Sequence, residues 1–262
     1  MTEQRTDPYR WRFLDGASPT TPHVASMTWR DGLFAHWPVD PDALRPHVPR
    51  ALTLETRDGS AWVSVLPFVL VNTGLRGTPS IARLAFPELN VRTYVRYRGD
   101  PGLFFFSIDV GSSLVAGTVA RTTRLPVHYA RMRASSGGEG VGFSSNRHDR
   151  PFERSETSGH ASSAGDTPAR FEATYEPTGA SFEPDPGTLE HWLVERRRFY
   201  APSNGGLLAG EIAHDPWPLQ PADVTVHENT MFEANGLPTP TEEPIVHYCG
   251  ELEMTGSIPR RV

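Results

Sequence analysis

Proline and glycine recur along this chain at short intervals, and that spacing restricts the available folds more than any other feature. The 262 residues include 25 prolines and 23 glycines. Proline cannot donate the backbone hydrogen bond of an interior helical position, and both residues favour turns. Long helices are therefore disfavoured, and many short strands joined by turns are expected. The length suits one large β-rich domain that buries a substantial core.

Several segments have the residue pattern of strands. In residues 61–71 only Ser64 is polar, which is typical of a buried strand, and residues 88–96 alternate cleanly between two faces. A turn at 99–102 joins that segment to the apolar run 103–108, which predicts a hairpin. Further strands are predicted at 115–125, 127–133, 171–175, 207–214, 222–228 and 245–256.

Two helices are predicted. Asp40 has the position of an N-cap with Pro41 at the first helical position, and this helix must end before Pro49. The second is predicted over 188–200, with Thr188 as its N-cap. The sum is a mainly β (α+β) fold, expected to be an antiparallel barrel with a few short helices.

The domain organisation is simple. Residues 1–26 are polar and interrupted by proline, and we interpret them as an N-terminal arm. Residues 27–262 are predicted to form a single domain. Within it, residues 148–169 are rich in Ser, Gly, Asp and Thr, which predicts a flexible loop.

All 25 cationic residues are arginine, against 31 acidic residues, for a net charge of −6. Without lysine the chain has no side-chain amine, which excludes a lysine Schiff base, lysine-anchored pyridoxal phosphate and a phosphate-loop lysine. A GC-rich genome and adaptation of a halophile to high salt would both explain the absence of lysine, and both stay open.

Other chemistry is constrained by what the sequence lacks. The histidines show no metal-ligand spacing, the glycine-rich segments fit no cofactor motif, and neither a metal nor a cofactor is expected. Cys249 is the one cysteine, no apolar run approaches the roughly 18 residues of a membrane span, and the first residues do not resemble a signal peptide. We expect a cytoplasmic protein without nucleic-acid or membrane partners, and a homo-oligomer stays open.

The clearest candidate site is one face of the segment 88–96. That face carries Glu88, Asn90, Arg92, Tyr94 and Arg96. It could be an exposed strand face with weak ion pairs. If it points into a barrel, it lines a pocket for a small organic anion, with arginine as a bidentate clamp and Glu88 as an acid or base.

The chain resembles the YqjF-like family of uncharacterised proteins. The segments that carry the resemblance are Met27–Asp40, Phe86–Arg96, Gly102–Asp109, Leu189–Arg196 and His214–Gln220. The resemblance implies no known reaction. It implies the fold of acetoacetate decarboxylase, a β-barrel around a deep pocket, because the family is similar to that enzyme.

The decarboxylase family has a stretch Phe-Pro-Lys-Lys-Leu-Ala, whose first lysine forms the Schiff base. The stretch that resembles it here is Leu125–Ala130, which places Val127 at the nucleophile position and His128 beside it. A glutamate of the decarboxylase pocket matches Glu88. The resemblance therefore implies that the acid is kept and the amine is lost.

We therefore expect a pocket in which Glu88 and His128 exchange protons with a small organic anion. The anion would be held by Asn90, Arg92, Tyr94, Arg96 and Arg121. Arg121 is preferred to Arg124 because the two point to opposite sides of the predicted strand 115–125. Asp109 is either a pocket acid or a turn residue, and His36 and Trp37 are interpreted as packing residues. The alternatives are a non-catalytic ligand-binding barrel and an interaction protein with a purely structural core.

Overall fold

The computed structural model describes residues 21–138, 140–147 and 168–262. Residues 1–20 of the predicted arm and residues 148–167 of the predicted loop lie outside this description. The first strand begins at His23, within the range predicted as the arm. The division into an arm and one domain stays a prediction.

The described residues are mostly in strands. In chain order the strands are β1 (His23–Val39), β2 (Thr53–Leu54), β3 (Ala61–Leu75), β4 (Leu84–Tyr97), β5 (Asp100–Val110), β6 (Val127–Gly137), β7 (Gly140–Arg147), β8 (Arg170–Pro177), β9 (Arg198–Ser203), β10 (Gly206–His214), β11 (Gln220–Asn229), β12 (Ile245–Ser257) and β13 (Arg260–Arg261). The α-helices are α1 (Pro41–Leu44), α2 (Ser113–Thr123), α3 (Leu189–Val194) and α4 (Met231–Ala234), and short 3₁₀ turns cover Arg45–His47 and Ser80–Ala82.

Strand pairing closes two rings that share strands β1, β3, β4, β5 and β12. The first ring is completed by β9 and β10, which connect β5 back to β12. The second ring is completed by β6, β7, β8 and β11. The pairs β5–β6 and β5–β9 are parallel, and the other pairs in the rings are antiparallel. The predicted mainly β fold with few short helices is confirmed.

Each shared strand presents one face to each ring, because successive side chains of a strand point to opposite faces. The first ring encloses a core of buried side chains that includes Trp29, Phe34, Leu66, Phe68 and Phe105. The second ring encloses another core, which includes Leu33, Val63, Val91, Phe143 and Phe171. The polar residues of β4 must therefore face one of two enclosed interiors.

The strand predicted at 115–125 is wrong. Residues Ser113–Thr123 form helix α2, whose N-cap Ser112 accepts a hydrogen bond from the Val115 N–H. The hydroxyls of Thr118 and Thr122 bond to carbonyls four residues earlier, which satisfies these polar side chains within the helix. A β-branched sequence can adopt a helix when its surroundings favour one, and propensity alone does not decide.

The helix predicted over 188–200 begins as predicted but ends earlier. Thr188 is its N-cap as predicted, but α3 ends at Val194. Residues Arg198–Ser203 instead form β9, which pairs with β10 on one side and β5 on the other. Residues after Val194 therefore pair with strands β5 and β10 and do not continue the helix.

Candidate functional site

The polar face of β4 points into the first ring over most of its length. Glu88, Asn90, Arg92 and Tyr94 alternate with residues that pack in the second core, so they share the first interior. Arg96 lies beyond the rim, is exposed and forms an ion pair of 2.6 Å with Glu55. Four of the five predicted residues are thus brought to one interior surface.

Arg92 is the most unusual residue of this surface. It is 6% exposed, and its Nε and Nη2 atoms have no hydrogen-bond partner. Its guanidinium carbon lies over the ring of Phe34, 5.9 Å from the centroid. No ion pair joins it to a carboxylate among the described residues. Burial therefore lowers the pKa of Arg92, since nothing of opposite charge compensates for the lost water.

Glu88 stands at the other end of the same surface. Burial raises the pKa of its carboxyl group to about 7, although a hydrogen bond from the amide of Asn90 opposes the shift. At neutral pH this carboxyl group is therefore present in both protonation states, which suits an acid or a base. Residues four apart on a strand have Cα atoms about 13 Å apart, so Glu88 and Arg92 are separated by about that distance along β4.

A closed group of hydrogen bonds adjoins Arg92. The Oγ atom of Ser64, directly opposite Arg92 in the β3–β4 register, lies 2.7 Å from Oη of Tyr94 and 2.7 Å from Nδ1 of His36. The Tyr94 and His36 atoms are themselves 3.1 Å apart. All three side chains are fully buried. Burial and the nearby charge of Arg92 hold the pKa of His36 well below its usual value, so its imidazole is neutral.

Helix α3 covers one end of the first interior. Trp192 lies against Tyr94, with ring centroids 4.7 Å apart, and Arg196 stacks on Trp192 at 4.6 Å. Arg196 is also buried, and it forms an ion pair of 2.5 Å with Glu55. Arg196 is therefore anchored within the protein, in contrast to Arg92.

His128 and Arg121 are not brought to this surface. His128 pairs with Asp109 across β5 and β6, and Asp109 forms an ion pair of 2.8 Å with Arg147 on the side of the second ring. Residues aligned in this way share a face, so His128 lies on the opposite side of the sheet from Glu88. Arg121 lies on α2 and is exposed, because the segment is a helix and not the predicted strand.

The position that matches the decarboxylase lysine does belong to the first ring. Val127 packs against the first core and aligns with Ile108, which in turn pairs with Asn90. The matched position therefore points toward the candidate surface but carries an apolar side chain.

The site predicted from the sequence does not include His36 and Ser64, which the structure places in contact with Tyr94. Ser64 is the one polar residue in the apolar run 61–71, and that isolation was the available signal. His36 was interpreted as packing, because nothing in its own segment shows that Ser64 and Tyr94 lie beside it.

Two cavities open elsewhere on the described surface. One of about 490 Å³ is lined by residues between Pro41 and Thr56, including Arg45 and Leu54. The other, of about 290 Å³, is lined by residues including Arg198 and Glu211. Neither is lined by Glu88 or Arg92.

No cluster of three or more His, Cys, Asp or Glu side chains in the described residues could hold a metal ion. None of the helices formed by these residues is long and apolar enough to cross a membrane.

Comparison with known proteins identifies relatives over nearly the whole chain. The sequence profile of DUF2071, described as an uncharacterised conserved protein, matches residues 26–253. The uncharacterised protein YqjF of Bacillus subtilis (strain 168) is 39% identical over 232 residues, covering 88% of this chain and 89% of YqjF.

Solved structures share the fold at low identity. The enduracididine biosynthesis enzyme MppR complexed with pyruvate has a TM-score of 0.61 at 15% identity, covering 95% of this chain and 94% of MppR. An acetoacetate decarboxylase has a TM-score of 0.61 at 13% identity, covering 99% and 95%. An acetoacetate decarboxylase-like enzyme from Sphingomonas wittichii RW1 has a TM-score of 0.57 at 13% identity, covering 95% and 96%. These likenesses show a common fold.

Proposed function

Because the chain belongs to the DUF2071 family of uncharacterised conserved proteins and has an acetoacetate-decarboxylase-like fold, we propose that its first ring binds a small organic anion. We propose further that Glu88 transfers a proton to and from that anion. The proposed site consists of Glu88, Asn90, Arg92 and Tyr94. Arg96, Arg121 and His128 are omitted because their side chains do not reach the first interior.

The geometry of Arg92 carries the proposal. Its two unpartnered nitrogens, Nε and Nη2, belong to the same edge of the guanidinium, and that edge binds a carboxylate through two parallel hydrogen bonds. A buried cation without a carboxylate is costly for a protein to keep. A bound carboxylate would supply both the missing charge and the missing acceptors.

The fold relatives support a small carboxylate as the ligand. MppR was solved in complex with pyruvate, a three-carbon acid. In the proposed arrangement a ligand of that size lies between Arg92 and Glu88, which share one strand face. Imine chemistry is not part of the proposal, since none of the 262 residues is lysine and Val127 stands at the matching position.

The proposed step is a reversible proton transfer. Ionised Glu88 takes a proton from the carbon next to the ligand's carbonyl group. The C–H electron pair forms a carbon–carbon double bond, and the π pair of the carbonyl group moves to its oxygen. The product is an enolate and a protonated Glu88, which returns the proton to carbon in the reverse step. A carboxyl group with a pKa of about 7 can serve in both directions near neutral pH.

Deuterium exchange tests the step directly. Pyruvate is incubated with the protein in D₂O, and loss of its methyl proton signal is followed by NMR. The wild type should accelerate the loss, and Glu88→Gln should abolish the acceleration while leaving pyruvate affinity largely unchanged. Glu251→Gln, a matched change at an exposed residue, should exchange like the wild type.

Two results would contradict the proposal. Pyruvate binding without exchange would remove the acid/base step and favour a non-catalytic binder. Exchange that persists in Glu88→Gln would show that another group carries the proton.

A further inference from the structure

Three buried side chains from neighbouring strands form one hydrogen-bonded group beside Arg92. His36 of β1, Ser64 of β3 and Tyr94 of β4 lie within 2.7–3.1 Å of one another at their polar atoms. The second ring nitrogen of His36, Nε2, is buried and has no hydrogen-bond partner. Of these three residues, only Tyr94 belongs to the site proposed above.

The contacts restrict where the protons of this group can lie. The Tyr94 hydroxyl carries one proton, so it can donate to only one of its two neighbours, Ser64 and His36. If Tyr94 donates to Ser64, and Ser64 donates to Nδ1 of His36, both hydroxyl protons have an acceptor within the group. The neutral imidazole then carries its single proton on Nε2. A proton on Nδ1 would leave one of the two buried hydroxyls without an acceptor, which is costly.

His36 and Arg92 therefore both carry hydrogen-bond donors without acceptors on the same interior surface. Nε2–H of His36 and the Nε/Nη2 edge of Arg92 all lack acceptors and are all buried. Ser64 of β3 is aligned with Arg92 in the β3–β4 pair and with His36 in the β1–β3 pair, so its backbone lies between theirs. Donors collected in a water-poor interior favour a ligand that brings more than one oxygen.

We infer that His36 is a second anion-binding residue, which donates from Nε2 to an oxygen adjacent to the carboxylate that lies on Arg92. The inference rests on the proposed function. It narrows the ligand class to acids with a carbonyl oxygen next to the carboxylate, because a simple carboxylic acid would leave the His36 donor unused. When Glu88 removes a proton, this carbonyl oxygen receives the negative charge, and a neutral imidazole stabilises it without giving up its proton.

Two three-carbon acids distinguish the contribution of His36 to binding from that of Arg92. Pyruvate has the additional carbonyl oxygen and propionate lacks it. By isothermal titration the wild type should bind pyruvate about 10-fold more tightly than propionate, the effect expected of one additional buried hydrogen bond. Arg92→Met should weaken both acids strongly, because both place a carboxylate on the guanidinium.

Two substitutions of His36 separate a binding role from a structural one. His36→Asn keeps a polar group toward Ser64 but removes the distal donor, so it should bind pyruvate and propionate equally. His36→Gln places an amide N–H near the former Nε2 position and should retain the preference for pyruvate. Propionate affinity should be the same in wild type and both variants.

The outcomes show separately whether the role of His36 fails or whether the proposed function fails. Arg92-dependent binding with no preference for pyruvate, or a preference that survives His36→Asn, overturns the inference alone. Failure of both acids to bind, or binding independent of Arg92, overturns the proposed function and the inference with it. Nitrogen-15 NMR of the His36 ring gives a test without ligand: the Nε2–H tautomer is expected, and an Nδ1–H tautomer contradicts the inference.

Discussion

The guanidinium carbon of Arg92 lies 5.9 Å from the centroid of the Phe34 ring, so this buried cation faces an aromatic ring where a carboxylate would be expected. Arg196, which is equally buried, shows the usual arrangement, with Glu55 at 2.5 Å. The two arginines lie in the same part of the first ring, but only Arg196 has a carboxylate beside it. Arg196 forms an internal ion pair with Glu55, whereas the Nε and Nη2 atoms of Arg92 have no hydrogen-bond partner.

Replacing Arg92 should therefore stabilise the ligand-free protein. Arg92→Met removes an uncompensated buried charge and should raise the free energy of unfolding by about 1 kcal/mol or more. Arg196→Met is the matched control and should lower it, because it leaves Glu55 with one partner fewer. Urea unfolding followed by circular dichroism measures both. A loss of stability in Arg92→Met as large as in Arg196→Met would contradict this account of Arg92.

Glu88 should make stability depend on pH. Its pKa is near 4.5 when unfolded and about 7 when folded. Between these values the native state keeps a proton that the unfolded state has released, so the free energy of unfolding falls as pH rises and levels off above 7. The contribution is up to about 3 kcal/mol.

Urea unfolding of wild type and Glu88→Gln between pH 4 and 8.5 measures this contribution. The glutamine has no titrating group, so the difference in the free energy of unfolding between the two proteins should change between pH 4.5 and pH 7. Parallel curves would show that the pKa of Glu88 is not raised in the folded protein.

The extent to which the site was predictable differs from residue to residue. The alternation of β4 was enough to place Glu88, Asn90, Arg92 and Tyr94 on one face, because side-chain direction has period 2 in any strand. Which face is interior depends on how the rings close, and the resemblance to acetoacetate decarboxylase supplied that information. His128 was misplaced because its face depends on the parallel pairing of β5 and β6, which no local pattern encodes.

Glu55 should be important for stability, because it bonds to two arginines at the covered end of the first ring. Its carboxylate pairs with the buried Arg196 and with Arg96. Glu55→Gln keeps the shape but leaves Arg196 buried without its counter-ion, at a cost of about 3 kcal/mol. Glu251→Gln breaks the exposed pair with Arg30 and should cost less than about 1 kcal/mol. Equal costs in thermal or urea unfolding would contradict the structural role of Glu55.

Gly32 should tolerate no side chain. A Cβ atom there would lie 2.1 Å from the indole of Trp29, which stacks on Phe68 with ring centroids 3.9 Å apart. Gly32→Ala should therefore lower the free energy of unfolding by about 2 kcal/mol and change the near-ultraviolet circular dichroism of the aromatic core. Gly206→Ala, where the added atom meets nothing within 4 Å, is the control. Unchanged spectra in Gly32→Ala would show that Trp29 packs elsewhere.

The central claim is that the first ring binds a small organic anion through Arg92, and calorimetric titration with pyruvate tests it most directly. The account predicts saturable binding of one pyruvate per chain in the wild type and in Arg30→Met, an arginine substitution at an exposed position. It predicts loss of binding in Arg92→Met, even though that variant remains folded. Pyruvate binding that is equal in Arg92→Met and the wild type, or absent from the wild type, would contradict it.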